Sequence, residues 1–134
     1  MKALTIKQPW ASLIMAGIKR VENRTWQVHY RGPLAIHAGK QVDRAAAEIL
    51  AAAGIDPEPF ADAPRGAILG TVELVDVIDG GDPQRDFTRY DVDADPLAFG
   101  PYCWVLEDPR PLDQPIPCRG ALSLWEVDLE EMIR

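Results

Sequence analysis

Residues 17–24 read Gly-Ile-Lys-Arg-Val-Glu-Asn-Arg. Three of their side chains, Lys19, Glu22 and Arg24, put a titratable amine, a carboxylate and a permanent cation into one short stretch. Such a set supports two kinds of chemistry. It can hold an anionic or nucleobase-like group between donors and an acceptor, or Glu22 can activate a water while Lys19 steadies a developing oxyanion. Side chains alternate along an extended strand, so Glu22 and Arg24 share a face and Lys19 does not. Lys19 therefore belongs to the turn after Gly17, from which its long stem can swing over the same mouth. The plain alternative is a salt-bridge network tying a strand to the rim of the fold, where exposed pairs contribute only about 0–1 kcal/mol each.

Further side chains join this set as ligand contacts. Trp10 and Trp26 flank the motif and offer flat surfaces for a base, and Gln8 carries an amide that both donates and accepts, suited to a base edge or to capping a helix. Lys7, Arg20 and Arg31 are the expected phosphate contacts. Glu73 is a carboxylate within the apolar run Thr71-Val72-Glu73-Leu74-Val75. It either finds Lys19 or Arg24 as a partner or points outward by strand alternation. His29 and His37 lack the cysteines or acids that would complete a metal site, and no metal or cofactor is expected. His37 reads as a core imidazole or as a rim group beside the cleft. Asp91-Val92-Asp93-Ala94-Asp95 opens like a calcium loop, but Pro96 and Tyr102 stand where the glycine and the bidentate acid belong. Phosphate-loop and nucleophile-elbow patterns are absent from the sequence.

The elements that must position these groups follow from periodicity. A strand over residues 3–7 leads to a helix over 9–16 that begins at Pro9, buries Trp10, Leu13 and Ile14, and stops at Gly17. Strands follow over 21–26 and 33–38. Val42, Ala45, Ala46, Ile49, Leu50 and Ala53 recur at helical spacing, with Asp43 as cap and Gly54 as terminator. Apolar β-rich runs at 67–77, 102–106 and 121–127 complete the set, and Gly80 to Gly100 reads as one long loop or lid. Strands punctuated by turns, with helices inserted, predict a small α+β barrel.

Length and composition fit one domain over residues 1–134, since 47% apolar residues suffice for a compact core. No apolar run approaches the roughly 20 residues of a membrane span, and a soluble, cytoplasmic protein is expected. Cys103 and Cys118 read as ordinary packed thiols. The net charge of −7 argues against a general coat for nucleic acid. Its distribution is uneven, however. Residues 1–44 hold eight Lys and Arg against Glu22 and Asp43, whereas residues 45–134 hold six against nineteen acids, which predicts one cationic face on an acidic body.

Gly17, Lys19, Glu22 and Arg24 fit the Gly-x-Lys-x-x-Glu-x-Arg signature of the ASCH (activating signal cointegrator homology) domain, a PUA-like family. Ile6 to Ile14, Tyr30 to Ala38, Gly70 to Asp76 and the closing Pro115-Ile116-Pro117, Gly120 and Leu124-Trp125 also resemble it, in the same order. The resemblance implies a PUA-like β-barrel of about five to seven strands, two main helices packed at its side and a short C-terminal helix. It implies that the charged motif lines a cleft, and it spans RNA binders, coregulator modules and small hydrolases. The function expected is binding of single-stranded RNA or a modified nucleoside. The alternative is a hydrolase in the same cleft, of acetylcytidine-amidohydrolase or ribonuclease type, with Lys19, Glu22 and Glu73 as its catalytic groups. In the amidohydrolase branch the motif lysine corresponds to Lys19 and a strand glutamate to Glu73, but a threonine stands where this chain has Glu22. A protein-docking role has no groove in the sequence to support it.

Overall fold

The computed structural model describes residues 1–86 and 88–133. Six strands form one mixed sheet in the order β2-β5-β4-β3-β1-β6. They are β1 (Lys2–Gln8), β2 (Val21–Arg24), β3 (Gly32–Val42), β4 (Ala67–Asp79), β5 (Tyr102–Pro117) and β6 (Leu124–Glu126), joined by α1 (Trp10–Met15), α2 (Ala46–Ala52) and α3 (Leu129–Ile133). β1 and β3 run parallel, and every other pair is antiparallel.

The expected barrel is not closed. β2 and β6 are the two ends of the sheet, and no ladder joins them among the described residues. Yet the Arg24 Nη2 of β2 donates to the Thr5 carbonyl of β1 at 3.0 Å. Four inter-strand steps of about 4.8 Å would set these strands roughly 19 Å apart in a flat sheet, beyond any arginine's reach. The sheet therefore curls until its end approaches β1, and a side chain bridges a seam that backbone pairing leaves open. Strand length explains why. The β1–β6 ladder ends at Leu4, so the next stretch of that edge has no strand beside it.

Helix α1 covers the concave side. Trp10, Ala11, Leu13, Ile14 and Met15 are all buried, and the helix packs on β1, β3, β4 and β5. It lies close because position 70 carries no side chain. A Cβ there would stand 2.7 Å from Met15 Sδ and 2.4 Å from the Arg110 carbonyl oxygen. The core continues through Leu4, Leu34, Ile36, Leu74 and Trp104, with Leu50 supplied by α2.

Several boundaries depart from the sequence reading. Pro9 precedes α1 rather than opening it, and α2 starts at Ala46 because Val42 still belongs to β3. Asp43 nevertheless serves the start of α2, its Oδ1 accepting from the Ala45 N–H at 3.0 Å. The strand expected at 102–106 extends to Pro117, through Pro109, Pro111 and Pro115. β2 pairs only with Tyr102–Val105, so the later part of β5 is an edge with an irregular register, where prolines are tolerated.

The Gly80 to Gly100 segment contains a 3-10 turn at Val92–Ala94 and buries Val92 and Leu97; position 87 lies outside the described residues. Tyr90 Oη donates to Asp95 Oδ2 at 2.5 Å within this segment. Burial, and then that hydrogen bond, raise the Tyr90 pKa above its ordinary value of 10.0. A phenol held protonated by the fold stabilises it fully below the unfolded pKa and loses that contribution as pH rises through the folded one.

Two predictions test this arrangement. Gly70→Ala is expected to destabilise the protein by about 1–3 kcal/mol in urea denaturation, because two of the three close atoms belong to backbone that cannot step aside. In Tyr90→Phe, stability measured at a series of alkaline pH values is expected to fall less steeply above the ordinary tyrosine pKa than in the parent.

Candidate functional site

Gly17 ends α1 with φ of +77°, and the Ile18 and Lys19 N–H groups both turn back to the Leu13 carbonyl, at 3.0 and 3.1 Å. A residue with a Cβ would be strained there, whereas glycine takes the left-handed turn freely. The turn sends the Lys19 side chain inward, where it is only 4% exposed. Its ammonium meets three things. It donates to the Val21 carbonyl, it stands 3.4 Å from Glu22 Oε1, and it lies 5.8 Å from the centre of the Trp10 ring.

Glu22, its side chain 9% exposed, gives its other oxygen to Arg24 Nη2 at 2.8 Å. Strand alternation puts Glu22 and Arg24 on one face as expected, and the turn adds Lys19. This is not the exposed network of the plain alternative. Two of the three charges are almost dry, where an unpaired ion would cost several kcal/mol. Arg24, 24% exposed, reaches the seam and holds the Thr5 carbonyl.

The seam opens as a cleft of about 980 Å³. Trp10, Lys19, Glu22 and Arg24 line it, joined by Lys7, Lys40 and Arg119, with Asp43 as the other acid. Trp10 is fixed by a 2.8 Å hydrogen bond from Nε1 to Asp43 Oδ2. His37 is both things the sequence allowed, a buried imidazole and a lining group. Its Nε2 donates to the Cys118 carbonyl at 2.8 Å, and its Nδ1 lies 3.2 Å from Thr5 Oγ1. Gly120 presses onto this pair, since a Cβ there would come within 2.5 Å of Thr5 Oγ1 and 2.8 Å of the imidazole.

Other expected contacts stand apart from this cleft. Gln8 is buried with its amide committed to capping: Oε1 accepts the Ser12 N–H at 3.0 Å, and Nε2 donates to Ser12 Oγ and to the Pro64 carbonyl. Trp26 stacks edge-on against Trp104, ring centres 4.7 Å apart, and accepts the Trp104 indole N–H on its carbonyl. Glu73 lies on the face of β4 opposite the buried Val72 and Leu74, in register with Pro33 and Glu107, and does not line the cleft. Arg20 lies over the Tyr90 ring at 4.9 Å and faces a separate hollow. Arg31 donates to the Val28 and Tyr30 carbonyls, with Asp76 3.9 Å away.

The sequence reading missed Asn23, Lys40, Phe99, Arg119 and Leu122 as lining groups. Asn23 carried a readable signal, being an amide between Glu22 and Arg24 in a strand, where such residues are uncommon. The others come from loops and a strand end that only folding gathers.

A curled mixed sheet, one helix in its hollow and a charged triplet at the open seam define a class of small α+β domains. The ASCH domain model matches residues 4–115, and the chain belongs to that family. It is 32% identical to human and 33% identical to mouse activating signal cointegrator 1 over 131 residues, 93% of this chain and 22% of each relative. The chain thus spans about a fifth of the length of these relatives. A point mutant of the ZmASCH protein from Zymomonas mobilis shares the fold, with a TM-score of 0.57 at 15% identity, covering 98% of this chain and 93% of that one.

Removing the acid strands a buried ammonium. Glu22→Gln is expected to cost roughly 3 kcal/mol in urea denaturation, and Lys19→Met distinctly less, because Arg24 still neutralises Glu22 in that variant.

Proposed function

We propose that the cleft binds nucleic acid, taking one unstacked base of single-stranded RNA, or a modified nucleoside, against the charged floor. The observation that carries this reading is the nearly dry pair Lys19 and Glu22, with the half-buried Arg24 beside them, lining an opening bordered by Lys7, Lys40 and Arg119. A base edge presents donors and acceptors side by side, and the floor offers a carboxylate acceptor flanked by cationic donors. The bordering cations suit phosphate oxygens, which position a strand while the floor selects the base. Of the phosphate contacts expected from sequence, Lys7 fits this role, and Lys40 and Arg119 join it.

The hydrolytic alternative asks Glu22 or Lys19 to accept a proton. Both Glu22 oxygens face cations within 3.4 Å, and the Lys19 ammonium is engaged by the Val21 carbonyl. Glu73, its proposed partner in hydrolysis, is on the other face of its strand. The geometry supports binding over proton transfer.

Fluorescence anisotropy with a short labelled single-stranded RNA tests the proposal. Affinity is expected to fall with added salt, and Lys7→Ala is expected to reduce the slope of log affinity against log salt by about 0.7, one phosphate contact on a single strand. Absence of binding at low salt overturns the reading. Acetate released from acetylcytidine, and lost in Lys19→Ala, would replace it with the hydrolase.

A further inference from the structure

Among the described residues, the two most exposed large apolar side chains are Leu122, at 93%, and Phe99, at 61%, and both line the same cleft. Single exposed apolar residues are ordinary on a protein surface. Two converging on one opening with a desolvated ionic floor are a different matter, because they leave apolar area in water beside a site already shaped to exclude it.

Phe99 is also held in place. The Asn23 Oδ1 accepts the Phe99 N–H at 3.1 Å and the Gly100 N–H at 3.0 Å, while Nδ2 donates to the Leu97 carbonyl at 2.9 Å. The approach is so close that a Cβ on Gly100 would stand 2.6 Å from the Asn23 Cβ. Asn23 lies between Glu22 and Arg24 on β2, so the strand that carries the charged floor also sets the backbone that presents the ring. By contrast, Trp10 is mostly buried with its N–H tied to Asp43, and Trp26 is spent on Trp104. Trp26 does not line the cleft, and of the two rings that do, Phe99 is the exposed one.

We infer that Phe99 is the surface on which the unstacked base lies, and that Asn23 is the positioning residue that aims it. This rests on the binding reading above and adds the specificity element to it. Stacking accepts any base by its face, so Phe99 confers preference for an unpaired base over none, while the charged floor discriminates among base edges.

The test uses two labelled single-stranded oligonucleotides of equal length, one with bases throughout and one built wholly of abasic ribose phosphate. Phe99→Ala is expected to weaken binding of the first by about tenfold and leave the second unchanged, and Phe99→Tyr is expected to restore the loss. Lys7→Ala should weaken both alike. Asn23→Ala should weaken the first oligonucleotide in the parent but add nothing in the Phe99→Ala background. A loss that adds in full would show a merely structural role for Asn23 and overturn its assignment. If the RNA binds and Phe99→Ala changes neither oligonucleotide, the stacking inference falls and the binding reading stands. If neither oligonucleotide binds at low salt, the binding reading falls and takes the inference with it.

Discussion

Glu22 is a carboxylate with almost no access to water, and two cations make that position tenable. Lys19 arrives from the turn behind α1 and Arg24 from two residues along the same strand, at 3.4 and 2.8 Å. An ion withdrawn from water must recover its solvation from neighbours, and in a protein interior the recovery depends on close geometry. The surrounding chain therefore has to deliver both partners. Gly17 makes the turn tight enough, the extended backbone of β2 sets the spacing of Glu22 and Arg24, and Trp10 covers the ammonium from the helix side.

The same guanidinium joins this ionic centre to the architecture. By holding the Thr5 carbonyl, Arg24 draws the end of the sheet towards β1 without adding a ladder. A barrel closed by backbone pairing would have had no opening here. The curled sheet with a bridged seam leaves a gap whose floor is charged and whose walls come from β1, β2, the later part of β3 and the segment leading into β6. On the far wall the buried His37, Thr5 and Gly120 pack within contact distance of one another, so the two sides of the gap are held by different means. Fold and cleft are in this sense one feature.

Local rules recovered what local physics controls. Alternation placed Glu22 and Arg24 together, the left-handed preference of glycine ended α1 at Gly17, and helical spacing found the buried face of α2. The edges of elements moved where pairing across the sheet outweighed local preference, as when β5 ran through its prolines along an edge. The ligand contacts proposed from residue type fared unevenly for a related reason. Of the two roles open to the Gln8 amide the fold took capping, the Trp26 ring went to core packing, and the face occupied by Glu73 depended on which side of β4 the helix covered. Asn23, by contrast, acts on a loop more than seventy positions away in the chain, and its place between Glu22 and Arg24 marks it as unusual without naming the partner it holds.

The order of residues by itself determined the family, through patches that resemble it along the chain, and the α+β class, through the run of strands and helices. It also determined the meeting of an amine, an acid and a guanidinium, because that follows from spacing within a single turn and strand. Closure of the sheet, membership of the cleft wall and the exposure of Phe99 were decided only by the tertiary structure. They depend on how far a six-stranded sheet curls and which distant backbone it then meets, and no short-range pattern encodes that distance.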